Sequence, residues 1–304
     1  MKESKKKWII ASAVCVLIGG FIVFGAAAAV DFDFTAFNSE NTYEKTYAVS
    51  EGFENINIET AESDINFIIS DGVCKVVCTE SDKVSYSVSA DGATLNIIME
   101  DNRRWYEHIS FMYGYDNWEI TVYLPKSEYK KLKAKSSGGD ISVSDDFAFE
   151  VLELGCTSGD IEAYSDVSDT VTVSTSSGNI CISGQSANLI KLNTTSGGIE
   201  LNDVYARSAE LKSTSGNIEI ERTEASENIK INTTSGAVSL LSCDSEYIEI
   251  KTTGGNVSGY LMSEKDFTVN TSSGDIDLPD GSSSRQKCIV STSSGDIRFR
   301  IKEN

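Results

Sequence analysis

Apolar positions recur through residues 126–304 with a period of 19 to 21 residues. Each period carries a Ser-Gly or Gly-Gly turn, and the marker glycines are Gly139, Gly159, Gly178, Gly197, Gly216, Gly236, Gly255, Gly274 and Gly295. Two places after each glycine stands Ile141, Ile161, Ile180, Ile199, Ile218, Val238, Val257, Ile276 or Ile297, always β-branched. Five places before it stands Ala134, Leu154, Val173, Leu192, Leu211, Ile231, Ile250, Val269 or Val290. The positions seven before and four after are nearly as apolar, so the offsets share one parity on each side of the turn. Side chains alternate across a strand, and this spacing predicts two short half-buried strands per repeat, joined at a tight turn. Glycine is expected there for its unusual backbone angles, and the Asp or Asn that usually follows for its tolerance of turn geometry. Three places before the glycine, Ser136, Cys156, Thr175, Thr194, Ser213, Thr233, Thr252, Thr271 and Thr292 predict an inward ladder of small hydroxyl side chains.

A fixed period of about 20 residues without helical spacing predicts coils stacked as a parallel β-solenoid, because one such coil buries too little apolar surface to order itself. The fold class expected is therefore all-β, with about nine to ten coils. The stretch before the repeats, 45–125, also alternates, at Ile56 to Ile58, Ile65 to Ile69, Val73 to Thr79, Val84 to Val88, Leu95 to Met99 and Glu119 to Leu124. With Ser63 in the glycine's place, Ile56, Ile58, Ile65 and Phe67 fall on the four apolar offsets of a tenth, degenerate repeat. A solenoid end needs protection against edge pairing, and 45–125 is expected to be an N-terminal β cap. Arg298, Arg300 and Lys302 alternate along the last strand and are expected to protect the other edge.

Residues 8–30 carry no charge and no proline and follow a tail, 1–7, that holds Lys2, Lys5, Lys6 and Lys7. As a helix, 23 residues extend roughly 35 Å, enough to cross a hydrocarbon core of about 30 Å. The lysines place the tail in the cytoplasm and the rest of the chain outside, after a linker at 31–44. A cleaved secretory signal, with Ala26 to Ala29 before the cut, is the rival reading.

The Ser-Gly-Asp-Ile units, such as Ser273-Gly274-Asp275-Ile276, together with Ile120 to Pro125 ahead of them, resemble the bacterial putative-adhesin family of β-strand repeats, domain of unknown function 4097. The resemblance spans about 45–302. It implies a membrane-attached or surface-exposed β-solenoid with adhesion or envelope-stress roles and no agreed catalytic residues. The chain departs from the pattern at Ser63, at Ala237 in the Asp/Asn position, and at Gly259 in an apolar column.

Charge narrows the partners. With 26 basic and 46 acidic side chains the net charge is -20, which repels phosphate backbones and excludes nucleic acid in favour of cationic partners. One histidine, His108, leaves little for histidine-based catalysis or zinc binding. Cys74 and Cys78, four apart in one strand, sit too far from each other for a disulfide, Cys156 and Cys288 are expected inside as small hydrophobes, Cys181 outside, and Cys243 in a variable turn. Free thiols are expected throughout.

The binding residues singled out are Trp105, Tyr106, Phe111, Tyr113, Tyr115 and Trp118, packed with Arg103, Arg104 and His108 into one segment; aromatics of this density suit sugar stacking or a protein partner, or else the core of the cap. The column Asp140, Asp160, Asn179, Asn217, Asn256, Asp275 and Asp296 is read as turn chemistry rather than calcium binding. Glu200 and Glu219, equivalent in adjacent coils, are the best pair for a polysaccharide-cleaving alternative. Lys191, Glu210, Lys230 and Glu249 alternate in sign and should help register. No catalytic residue, metal or cofactor is assigned. The function expected is a non-catalytic adhesin-like or envelope scaffold protein, single-pass and extracellular, that meets a cell-surface glycan or protein and associates with itself through solenoid ends.

Overall fold

A computed structural model describes residues 14–22, 24–25, 28, 41–104, 118–280 and 284–302. Two compact units emerge. The first, Met1–Tyr43 with Ser81–Ser85 and Asp101–Asp116, contains a helix over 14–22 and the turn at Ser81, whose Oγ accepts the Lys83 and Val84 N–H groups at 3.1 Å. Among the described residues no helix is long and apolar enough to cross a membrane, and much of the expected span 8–30 lies outside them.

The second unit is a parallel β-solenoid. Each coil contributes one strand before its marker glycine and a shorter one after it, and the two sets form two parallel sheets. The pre-glycine strands Glu128–Lys135, Ala148–Gly155, Asp166–Ser174, Ser186–Asn193, Tyr205–Lys212 and Glu224–Asn232 pair parallel with their neighbours. The post-glycine strands Ile141–Val143, Ile161–Ala163, Ile180–Ser183, Ile199–Asn202 and Ile218–Glu221 do the same. Strand Val238–Lys251 runs through a corner and belongs to both sheets. Inward positions are completely buried, as in Leu132, Leu152, Val171, Ile190, Ala209, Ile229 and Ile248. At the degenerate repeat Ile56, Ile58, Ile65 and Phe67 are buried, and the strands Asn55–Glu59 and Asp64–Ser70 pair with Glu128–Lys135 and Ile141–Val143. About eight turns thus follow one another in sequence order.

Both ends break that order. Strands Thr94–Asp101 and Glu119–Pro125 stack on the outer side of the coil 55–70, although they follow it in sequence. At the far end the coil built from Lys287–Ser291 and Ile297–Ile301 inserts between 247–261 and the coil of Asp266–Asn270 and Ile276–Asp277. The strand bearing Arg298 and Arg300 is therefore flanked on both sides, and the expected charged edge lies one coil inside the stack. Gly259 owes its place to this insertion. A Cβ there would sit 2.3 Å from the Phe299 ring of the inserted coil, which packs 5.3 Å from Phe267. Strand Cys74–Glu80 covers the N-terminal end of one sheet by pairing antiparallel with Glu119–Pro125. Glu80, 1 % exposed, holds this cap by accepting hydrogen bonds from Lys45 Nζ, Tyr47 Oη and the Tyr86 N–H.

Candidate functional site

The two corners of each coil are built differently. At the marker-glycine corner, a Cβ on any of the nine glycines would fall 1.7–2.2 Å from the backbone oxygen of the adjacent coil. None of these glycines adopts a left-handed φ, so close stacking, not backbone angle, excludes side chains here. The hydroxyl three places earlier accepts the N–H of its own glycine, as Thr194 does from Gly197 at 3.1 Å, and donates to the glycine carbonyl of the neighbouring coil, Gly178 at 3.0 Å. Cys156 serves as a rung of this ladder through Sγ, accepting from Gly159 and donating to Gly139. It is thus a hydrogen-bonding group rather than the small hydrophobe expected. Next to it runs a second ladder in which Asp64, Asp140, Asp160, Asn179, Asn217, Asn256 and Asp296 each accept the backbone N–H of the following coil, as in Asp160 N–H to Asp140 at 2.8 Å. The corner is filled by its own bonds.

In four successive coils the far corner turns through one left-handed residue: Gly184, Asp203, Arg222 and Ser242 have φ of 71°, 54°, 46° and 57°. Arg222 pairs with Asp203 through two hydrogen bonds of 2.6 and 2.8 Å, which hold the Asp203 carboxyl below the usual carboxylate range. Register irregularities then follow in the pre-glycine strands, between Phe149 and Val151, Ala206 and Ser208, and Ala225 and Asn228. These bulges bend the strands beside a column that faces inward ten or eleven places before the glycine: Tyr129, Phe149, Val167, Ala187, Ala206, Ala225 and Ser245.

The result is a groove along the coils. Its larger section has a volume of about 970 Å³, with Tyr129, Phe149 and Val167 in the floor and Glu54, Glu128, Glu150, Asp166 and Asp169 around it. Tyr129 and Phe149 are 5 % and 3 % exposed, their rings 5.9 Å apart, and burial pushes the Tyr129 hydroxyl up to about 12. A smaller section of about 280 Å³ follows, with Tyr205, Ala206, Ala225, Glu224, Asp244 and Glu246. The two sections adjoin, since Ser186 of the first pairs with Tyr205 of the second. Lys130 is tied to Glu54 at 2.5 Å and Asp169 accepts from Asn188 at 3.0 Å, while Glu128, Glu150 and Asp166 form no ion pair among the described residues. Tyr205 stands 60 % exposed between Ser186 and Glu224 of the adjacent coils.

Of the residues singled out in the sequence, Trp118 is 2 % exposed and belongs to the core. Trp105, Tyr106, Phe111, Tyr113 and Tyr115 lie outside the described residues. Glu200 and Glu219 sit side by side on the exposed face of the post-glycine sheet, and Lys191, Glu210, Lys230 and Glu249 follow one another across neighbouring strands as expected. All seven cysteines are free thiols; Cys181 is half-buried, while Cys243 is buried in the strand Val238–Lys251 where it rounds the far corner after Ser242. The groove was missed because its floor column mixes aromatic with small residues and carries no uniform apolar signature. The signal that would have found it is the shift from Tyr129 and Phe149 to a run of alanines at one fixed offset.

Two solved structures share this fold. One is described as a putative adhesin from Bacteroides fragilis, 17 % identical, covering 73 % of this chain and 98 % of its own, with a TM-score of 0.50. Another is described as a putative lipid binding protein from Parabacteroides distasonis, 16 % identical, covering 86 % and 97 %, with a TM-score of 0.52. No curated protein matches. Residues 53–247, which hold the degenerate coil, the glycine corner and most of the groove, match the family described as Toastrack DUF4097, and the chain belongs to that family.

Proposed function

We propose that this chain is a non-catalytic, adhesin-like interaction protein held at the cell surface by its N-terminal segment, with the far-corner groove as its ligand surface. The groove carries the reading: it is the place where a packed, self-satisfied solenoid leaves a long concavity with apolar floor and polar walls, the composition that binding surfaces favour. The uncharged segment 8–30 and the lysines before it support attachment with the solenoid outside. The description of the Bacteroides fragilis neighbour as an adhesin agrees with an adhesive role.

Sedimentation of the full-length chain with intact bacterial cells tests this. The wild type should pellet with the cells, and the exposed groove changes Ser186→Arg with Tyr205→Ala should reduce the pelleted fraction several-fold while leaving the circular dichroism unchanged. Equal pelleting of both would remove the groove from the reading. Trp105→Ala with Tyr113→Ala in the same assay tests the aromatic segment as a second contact.

A further inference from the structure

The chemistry of the groove narrows the ligand. Six coil-to-coil steps separate the strand starting at Glu128 from Asp244. At about 4.8 Å each they make about 29 Å, the length of about nine residues of extended polypeptide. Along this path the walls present Glu128, Glu150, Asp166, Glu224 and Glu246, all without an ion pair among the described residues. The basic groups nearby are already committed: Lys130 to Glu54, Arg207 to Glu227, and the buried Lys265 to Asp244, Ser263 and Gln286. With Lys130 held by Glu54 and within electrostatic reach of Glu150, the carboxylates still outnumber the cations along the groove, which favours a positively charged occupant.

Two further features say what kind. The floor residues Val167, Ala206 and Ala225 are small and aliphatic; Val167 and Ala225 are closed to contact at 1 % and 2 % exposed, so an occupant rests on half-buried Ala206 and between the walls, where the methylene stems of lysine and arginine lie while their heads reach carboxylates. Tyr205 is an exposed ring with Glu224 one coil away, a pairing that attracts an ammonium or guanidinium through ring face and carboxylate together. A glycan would ask for a series of open aromatic faces. The groove offers one, since Tyr129 and Phe149 are buried.

We propose that the groove binds an extended basic polypeptide segment, laid along the coils with its side chains paired to Glu128, Glu150 and Asp166 and one cation against Tyr205. This deepens the reading of the groove as the ligand surface and rests on it. The probe is a fluorescent decalysine titrated into the full-length chain and followed by anisotropy. Binding should weaken about tenfold in the triple variant Glu128→Gln, Glu150→Gln, Asp166→Asn, on the scale of three exposed charge pairs of about 0.5 kcal/mol each. The variant Glu162→Gln, Glu200→Gln, Glu219→Gln removes as many charges from the other sheet and should change affinity less than about twofold. Tyr205→Ala should weaken binding and Tyr205→Phe should not. Equal loss in both triple variants would mean attraction to net charge alone and would overturn the proposal. So would a chitosan oligomer that binds the groove where decalysine does not, assigning it to a cationic glycan. If neither probe binds but the groove changes still abolish sedimentation with cells, the basic-peptide proposal falls while the groove remains the ligand surface; if sedimentation is insensitive to those changes as well, both fall.

Discussion

The marker-glycine corner and the far corner turn the same chain with opposite consequences. At the first, backbone atoms of successive coils approach so closely that one residue type fits, and the hydroxyl and Asp/Asn side chains are spent on the turn and the adjacent coil. At the second, left-handed residues in some coils and bulges in others relax the stack, side chains of several sizes are accepted, and several carboxylates form no ion pair among the described residues. Repetition enforces uniformity where coils touch through backbone and releases it where they touch through side chains. That is where a solenoid has room for recognition.

This contrast can be broken most forcefully at Gly216. Its Cβ in Gly216→Ala would lie 1.7 Å from the Gly197 oxygen, so the stack must part or the coil must shift. We expect a loss of about 4 kcal/mol or more in urea unfolding, at the extreme of single-residue effects, whereas Ala206→Ser in the groove should stay within about 1 kcal/mol. Next comes the hydroxyl ladder. Thr194→Val leaves the Gly197 N–H and the Gly178 carbonyl without their partner and should cost about 2 kcal/mol, while Thr194→Ser should cost less than about 1.

A third experiment uses pH at the far corner. Burial pushes the Cys243 thiol up to about 11, from an ordinary value near 9. A thiol that ionises more readily when unfolded contributes stability that is complete below pH 9 and lost as pH rises through about 11. Unfolding free energy measured across that window should fall by about 2 kcal/mol more in the wild type than in Cys243→Ala. The smallest expected effect is a gain. Ser242 holds a φ of 57°, and Ser242→Gly should stabilise by up to about 1 kcal/mol, seen as a higher melting temperature; a loss would mean the Ser242 side chain contributes more than its strained backbone costs.

Much of the fold was legible because its determinants repeat. Nine glycines at one interval, with β-branched residues two places on, disclose strands, turn, register and even the degenerate coil at Ser63. The glycine's reason was not legible: conformation and close approach select the same residue, and the distances between coils decide for approach. Nor did the sequence disclose the order of the end coils, since a coil displaced by one place along the stack keeps the same alternation. Gly259 was the single visible trace, a gap in an apolar column that makes sense once Phe299 is known to fill it. Of the groove, the sequence held the acids but not their gathering, which depends on bulges that leave no mark in composition. The aromatic segment drew notice by density alone, and its described member, Trp118, is core.

The inserted coil at 287–301 bears on how the protein is made and how it resists pulling. Residues 266–277 leave the ribosome first yet have no in-stack neighbour until 287–301 arrives, so the last stage of assembly cannot proceed coil by coil behind the ribosome and must wait for a later segment to wedge in. Once seated, that segment is gripped on both sides. A force drawn along the chain from residue 302 would meet an interior coil first and would have to extract it from between two others, instead of peeling the stack from its free end.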